Sequence, residues 1–109
     1  MAREISKILE DKLGQNIMIL DLSKACDFTD AFVLSSATSD RMLNSLADAV
    51  TELVKQNFGL NAIVEGTPQS GWIVLDYGYV IVHLMAEETR EYYQLEELWN
   101  KGKVLLHLK

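Results

Sequence analysis

The first twenty residues carry two different patterns of apolar positions. Four apolar side chains recur at helical spacing, and Gly14 stands where such a helix would end, which predicts an amphipathic helix over residues 2–13. Residues 17–20 are then continuously apolar, which is typical of a buried strand. The helical positions are Ile5, Ile8, Leu9 and Leu13.

The longest helical pattern lies in the middle of the chain. Three candidate N-cap residues precede it, and Gly59 follows its last residue, Phe58. Residues 31–36 before it and 61–64 after it predict short strands. A strand, a helix and a strand in this order favour a right-handed crossover with parallel pairing of the two strands, and EGTPQSG then predicts an exposed loop. The caps are Thr38, Ser39 and Asp40, and the apolar stripe is Met42, Leu46, Ala49, Val50 and Leu53.

A third helix is predicted near the C-terminus. It covers residues 87–99, with Tyr92, Leu95 and Trp99 as its apolar stripe. The tail NKGKVLLHLK has no decisive period. Its VLLHL segment fits an edge strand, a packed extension or an intermolecular contact equally well.

Residues 71–85, GWIVLDYGYVIVHLM, predict a β-hairpin that turns at Gly78. Loops of two residues (77–78) or four residues (76–79) both place Leu75 opposite Val80 and Ile73 opposite Val82. Leu84 continues that aliphatic side. The other side is mixed in character, with Trp72 opposite His83, Val74 opposite Ile81, and Asp76, Tyr79 and Met85 further along.

Together these elements predict a single α/β domain over residues 1–109. Its sheet is mixed, partly parallel and of about five strands, and its helices lie mainly on one face. The aliphatic side of the hairpin is expected beneath the helices, because a slipped register would scatter polar groups onto both sides. The mixed side is then either an exposed interaction surface or a second small core, and the composition favours neither.

Charge and composition narrow the function. The formal net charge is −6 and the sequence pI is about 4.8, which argues against broad contact with nucleic acid and favours a basic protein partner. Cys26 is the only cysteine, so no internal disulfide forms. The N-terminus lacks the pattern of a signal peptide and no apolar run has the length of a membrane span, so we expect a cytoplasmic location without membrane contact.

Several fragments in one order carry a family resemblance. FVLSSATSDR, EG, WIVLDYG, VIVHLM and EETREYYQLEELW resemble the Iojap or RsfS family of ribosomal silencing factors, over about residues 21–99. The resemblance implies a mixed α/β fold, nucleotidyltransferase-like in outline, without catalytic activity. It also implies binding to the large ribosomal subunit through its fourteenth protein, which prevents the small subunit from joining and lowers translation.

The resemblance also implies a set of partner-binding residues. Trp72 and Met85 are the expected apolar anchors, Asp76 and Glu88 are expected to pair with basic groups, and the other roles are hydrogen bonding or orientation. Two positions depart from the family pattern: Ala37 stands where glycine is frequent, and Tyr79 where a small polar or acidic residue is frequent. A bulky ring there favours self-association, and we expect a homodimer in the free protein. The residues that match the family motifs are Trp72, Asp76, His83, Met85, Glu88, Arg90 and Tyr93, and Tyr79 is added to the candidate set as the departure beside them.

The alternative function is a nucleotidyltransferase-like, nucleotide-handling enzyme. It requires paired acidic residues on strands beside a Gly-Ser loop, but SSATSD lacks glycine and Asp76 has no acidic neighbour two residues away. Nothing fixes Cys26 or Ser36 at a catalytic distance from His83, and no histidine or cysteine spacing indicates zinc. No catalytic, cofactor or metal site is therefore predicted. A shallow aromatic face would favour the binding protein, and a concave site with converging carboxylates would favour the enzyme.

Overall fold

The computed structural model describes residues 1–98 and 102–108, and its fold is mixed α/β as predicted. One sheet has six strands rather than about five, because the tail segment left open by its pattern forms an edge strand. A 3₁₀ turn at Pro68–Ser70 joins the third and fourth strands. The elements are α1 Ala2–Asp11, β1 Gln15–Asp21, β2 Ala31–Ala37, α2 Asp40–Phe58, β3 Ile63–Thr67, β4 Trp72–Asp76, β5 Val80–Ala86, α3 Glu87–Tyr93, α4 Leu95–Leu98 and β6 Lys103–Leu108.

The strands lie in the order β3-β4-β5-β2-β1-β6. The β2–β5 pair is parallel, and every other neighbouring pair is antiparallel. The predicted parallel pairing of β2 with the strand after α2 is wrong, since β3 lies at the sheet edge with two strands between. Helix α2 has 19 residues and spans about 28 Å, which exceeds the width of two strands. The chain can therefore pass from β2 to β3 and leave room for β4 and β5 between them.

Helix α2 begins and ends where its caps predict. Ser39 Oγ accepts the Met42 N–H at 3.1 Å, and Gly59 ends the helix in the left-handed conformation with φ 67°. The predicted apolar stripe is only partly right, because α2 is rotated about its axis relative to that expectation and packs against both the sheet and α1. Of the predicted positions, Leu46 and Val50 are fully buried. The buried set is Leu43, Leu46, Ala47, Val50 and Val54.

The β4–β5 hairpin keeps its predicted faces but not its predicted partners. Leu75 pairs with Val82 and Trp72 with Met85, a shift of two residues from the predicted register. The reason is a loop centred one residue later, with Gly78 as its first residue at φ 87°. Glycine is the preferred residue at the first position of a type II′ turn. Because the shift is even, no side chain changes face.

The aliphatic face of the sheet packs under α1 and α2. Its strand residues come from the four central strands, and together with the two helices they form the main hydrophobic core. Burial of this apolar surface is the main force that holds the helices on the sheet. The strand residues include Ile17, Ile19, Val33, Ile73, Leu75, Val82 and Leu84.

The opposite face is a second core, which is one of the two alternatives that its composition left open, so the face as a whole is not an open interaction surface. Leu22 and Cys26 at the start of the β1–β2 loop pack on this face, and Leu95 of α4 covers it from the other end. These segments fold back over the sheet and exclude water from most of the mixed side. The buried members are Met18, Leu20, Leu22, Phe32, Leu34, Ile81, Met85 and Leu95.

The C-terminal helix is broken in two. Gln94 adopts a left-handed φ of 49° between α3 and α4, which ends the hydrogen-bonded ladder of α3. Leu95 is buried as predicted, whereas Tyr92 is 81% exposed and does not belong to a buried stripe. Trp99, the third predicted stripe residue, lies outside the described residues. Among the described residues, no helix combines the length and apolar character needed to cross a bilayer.

Candidate functional site

A groove of about 800 Å³ lies where the β3–β4 edge of the sheet meets α3. Its walls are mostly apolar and aromatic, with two carboxylates among them. The lining residues are Glu65, Gly66, Ser70, Trp72, Val74, Glu88, Thr89, Tyr92 and Tyr93.

Two glycines allow the groove to form. Gly66 has φ 83°, and a Cβ added there would lie 2.0 Å from the Trp72 carbonyl oxygen, so only glycine fits between the two strands. Gly71 has φ 78°, and its own Cβ would lie 2.8 Å from Thr89 Oγ1. The Gly71 carbonyl also accepts the Ala86 N–H at 2.8 Å. The close approach at Gly66 places β3 against the beginning of β4, and the contacts of Gly71 hold the beginning of β4 beside the beginning of α3.

Three aromatic rings line the groove in contact with one another. The Trp72 and Tyr93 ring centroids are 4.9 Å apart, and Tyr93 meets Tyr92 edge to face at 5.0 Å. Trp72 is half-buried, whereas Tyr93 is 48% and Tyr92 81% exposed. Large exposed rings in contact are unusual on the surface of an isolated domain, and such rings are typical anchors in protein interfaces.

Acidic side chains lie on both sides of these rings. Glu65 enters from the edge strand β3 and Glu88 from the first turn of α3, and both side chains are exposed. The chain carries a net charge of −6, so these carboxylates lie in an overall negative field. The groove therefore suits a partner with basic side chains.

His83 lies beneath the groove and not on its surface. The Trp72 Nε1–H donates a hydrogen bond to His83 Nδ1 at 3.1 Å, and the imidazole meets the Phe32 ring edge-on with centroids 4.5 Å apart. Only 7% of His83 is exposed. Burial lowers the pKa of His83 to about 4, although the negative charge of Asp76 acts in the opposite direction.

Two further residues of the predicted set are also buried. Met85 is fully buried in the second core, so its expected role as an exposed anchor is wrong. Arg90 is 3% exposed and donates from Nη1 to the Asn16 carbonyl and, at 3.2 Å, to Ser36 Oγ. It ties α3 to the ends of β1 and β2.

Asp76 is the last residue of β4 and Tyr79 lies in the hairpin turn, and neither lines the groove. Asp76 Oδ1 accepts the Gly78 N–H at 2.7 Å, which stabilises the turn. The Tyr79 carbonyl accepts the N–H groups of Asp30 and Ala31 at 3.0 and 3.1 Å, while its ring is 48% exposed. Of the eight predicted residues, the groove thus brings together Trp72, Glu88 and Tyr93.

Sequence patterns missed five side chains of the groove, those of Glu65, Ser70, Val74, Thr89 and Tyr92. Val74 was assigned to the mixed hairpin face without a role, and Tyr92 to a buried stripe. Glu65 and Thr89 have no local signal, because their places depend on β3 pairing with β4 and on α3 packing beside them.

The alternative of a nucleotide-handling enzyme required acidic residues placed to hold a metal ion. A smaller hollow of about 230 Å³ lies between the SSATSD segment and the start of α3, with Asp40, Glu87 and Glu88 among its lining residues. Within residues 1–98 and 102–108, no three histidine, cysteine or acidic side chains are placed to hold a metal ion.

Residues 1–108 match the family described as "Ribosomal silencing factor during starvation", RsfS. The chain belongs to the RsfS family of ribosomal silencing factors. The resemblance that the sequence motifs indicated is therefore confirmed. An RsfS protein of Haemophilus influenzae is 35% identical over 87% of this chain and 93% of its own length. The mouse protein named "Mitochondrial assembly of ribosomal large subunit protein 1" is 30% identical over 84% of this chain and 42% of its own.

A solved structure extends the RsfS relationship to the fold. A crystal structure from Chromobacterium violaceum superposes with a TM-score of 0.82 at 33% identity, covering 92% of this chain and 87% of the other. The RsfS family is named for regulation of ribosomes and not for a catalysed reaction.

Proposed function

We propose that this protein binds the large ribosomal subunit through the fourteenth protein of that subunit and prevents the small subunit from joining. It acts in the cytoplasm by occupying space, without catalysis and without a cofactor. The observation that carries the proposal is the groove of Trp72, Tyr92 and Tyr93 with the carboxylates of Glu65 and Glu88 beside it. Membership of the RsfS family supports the ribosome as the place of action.

The groove has the chemistry of a protein-binding surface. Aromatic side chains supply large contact areas with little conformational freedom to lose, and a polar rim excludes water around them. Ribosomal proteins lie on RNA and carry many basic side chains, which the acidic rim attracts. The net charge of −6 disfavours direct contact with RNA, so a protein component of the subunit is the better docking partner.

Blockade follows from size. The protein measures 34 × 33 × 23 Å. The joining faces of the large and small subunits must come into direct contact, which leaves no space for a body of these dimensions between them. A body of this size bound on the joining face of the large subunit prevents the small subunit from reaching it. The residues away from the groove then need no specific contact with the small subunit.

The roles proposed for the predicted residues depend on how deeply each side chain is buried. We propose direct contacts for Trp72, Glu88 and Tyr93, which line the groove, and a peripheral contact for the exposed Tyr79 and the half-buried Asp76. His83, Met85 and Arg90 act from beneath by supporting the surface.

Retention on purified large subunits tests the site. Trp72→Ala should weaken binding by about 2 kcal/mol or more, roughly thirtyfold, because it removes the central aromatic anchor. Glu88→Ala should weaken it less, since an exposed carboxylate at the rim is solvated in both states. Phe58→Ala and Glu52→Ala, on α2, are the matched aromatic and acidic controls and should bind like the unmodified protein. Unchanged retention of both groove variants contradicts the proposed site.

A subunit-joining assay tests the consequence of binding. Light scattering of mixed subunits should show less joining when the protein is added, and Trp72→Ala should lose this effect in proportion to its loss of affinity. Binding without any reduction in joining would contradict steric blockade.

We also propose that the free protein forms a homodimer through the groove side of the molecule. Exposed apolar residues on this side include Tyr92 and Tyr93 of α3 and Ile63 of the edge strand β3. A copy of the chain that covers these residues by a two-fold contact would remove them from water.

A further inference from the structure

The hydrogen bond between Trp72 and His83 defines the protonation of a buried side chain. An indole N–H only donates, so His83 Nδ1 at 3.1 Å must be an unprotonated acceptor. The proton of the neutral ring is then on Nε2, which is buried and has no hydrogen-bond partner among the described residues.

This arrangement lowers the stability of the folded state, which indicates that the acceptor at Nδ1 has a role. A buried N–H without a partner destabilises the folded state, and an aromatic ring such as phenylalanine would fill the same place without that penalty. The surroundings of His83 are apolar, with Phe32 against its ring and the second core around it. What histidine adds at this position is one acceptor directed at Trp72.

The hydrogen bond to His83 affects the groove through the orientation of Trp72. Trp72 is half-buried on β4, with His83 on one side and the Tyr93 ring on the other. An indole at an open groove would otherwise sample several rotamers, and ordering it on binding would reduce affinity. A hydrogen bond from beneath holds it in the orientation in which it stacks with Tyr93.

We propose that His83 is a positioning residue, whose neutral imidazole holds the Trp72 indole in its partner-binding orientation before the partner arrives. This rests on the proposed function of the groove. His83 itself makes no contact with the partner, since it is only 7% exposed and its ring packs against Trp72 and Phe32. The function expected of His83 from the family resemblance, direct hydrogen bonding, is thereby replaced by an indirect one.

Two substitutions separate the hydrogen bond from packing. In His83→Asn the side-chain oxygen takes nearly the place of Nδ1, so the acceptor is kept while ring volume is lost. In His83→Phe the ring is kept and the acceptor is lost. Positioning predicts that the asparagine variant binds better than the phenylalanine variant, whereas a packing role predicts the reverse order.

Binding to purified large subunits measures that order. We expect His83→Phe to bind roughly three- to tenfold more weakly than the unmodified protein, the effect of ordering one side chain on binding, and His83→Asn to recover most of the loss. His107→Asn and His107→Phe are matched controls, because His107 lies on β6 at the opposite edge of the sheet. Equal affinities of the unmodified protein and His83→Phe would overturn the proposal.

Nuclear magnetic resonance tests the same claim in the free protein. Trp72→Phe identifies the Trp72 indole resonance, and Nδ1 of His83 should show the ¹⁵N shift of an unprotonated acceptor. The indole signal should shift in His83→Phe and stay near its original position in His83→Asn. A protonated Nδ1, or an indole signal unaffected by His83→Phe, would also overturn the proposal.

The experiments distinguish failure of this inference from failure of the docking site. If Trp72→Ala binds like the unmodified protein, the groove is not the docking site, whatever the spectra show. If Trp72→Ala loses binding while His83→Phe does not, the site stands and His83 has no positioning role.

Discussion

His83 and Tyr92 show how far a single residue departs from what its type suggests. Histidine on a mixed strand face is compatible with an exposed hydrogen-bonding group, yet this one is 7% exposed and neutral. Tyrosine at helical spacing fits a buried stripe, yet Tyr92 is 81% exposed. Neither side chain carries a local signal of its burial, because burial depends on what the rest of the chain places over it.

The buried imidazole predicts a pH dependence of stability. The pKa of His83 is about 4 when folded, below its ordinary value of 6.5, so unfolding takes up a proton between these two pH values. Its contribution to stability is therefore complete above about pH 6.5 and is lost as the pH falls towards 4, by an amount on the order of 3 kcal/mol.

Urea unfolding at several pH values measures this contribution. The free energy of unfolding should fall more steeply between pH 6.5 and 4 in the unmodified protein than in His83→Asn. His107→Asn, the exposed histidine control, should retain the steep fall. A slope that is the same with and without His83 would show that its ionisation is not linked to folding.

At the scale of elements, the hairpin and the β3–β4 turn depend on particular glycines. The hairpin faces follow from alternation alone and are as predicted, whereas the pairing differs by two residues because Gly78 begins the loop. A loop that begins at Tyr77 and one that begins at Gly78 differ only slightly in turn energy. The local sequence therefore does not determine the hairpin register. The strand β3 extends to Thr67 through Gly66, a position assigned to an exposed loop on composition.

Gly66→Ala should destabilise the protein more than Gly59→Ala. Both glycines have positive φ, 83° and 67°, so both substitutions introduce backbone strain of about 1 kcal/mol. At Gly66 the new Cβ also meets the Trp72 carbonyl, whereas nothing lies within 4 Å at Gly59. We expect a total loss of roughly 3 kcal/mol or more at Gly66. Denaturant midpoints measure both, and equal losses would contradict the close approach of β3 to β4.

At the scale of the whole molecule, each face of the sheet packs into its own hydrophobic core. Helices α1 and α2 cover one face, and the β1–β2 loop with Leu95 covers most of the other. Large apolar side chains remain exposed in the groove and at the sheet edges, and also at Leu13, Phe28, Phe58 and Leu60. The amount of surface available to a partner is smaller than an open sheet face would offer, and it is better defined.

The homodimer should form through the groove side. Tyr92→Ser should weaken self-association, because it removes an 81% exposed ring from that side. Val104→Thr is the control for the opposite edge, since Val104 is 53% exposed on β6. Light scattering at micromolar concentration measures the mass of each variant. A strictly monomeric unmodified protein contradicts the dimer, and dissociation by Val104→Thr alone would place it on the wrong edge.

The sequence by itself determined the class of fold, the ends of α2, the segregation of hairpin faces and, through its motifs, the family. These depend on local periodicity, capping chemistry and residue order, which are complete within short segments. Only the tertiary structure decided that β3 lies at the edge, that the mixed face is buried, and that Glu65, Val74 and Tyr92 line one groove with Trp72. Such contacts join segments far apart in the chain, and their energies depend on packing that no local pattern contains.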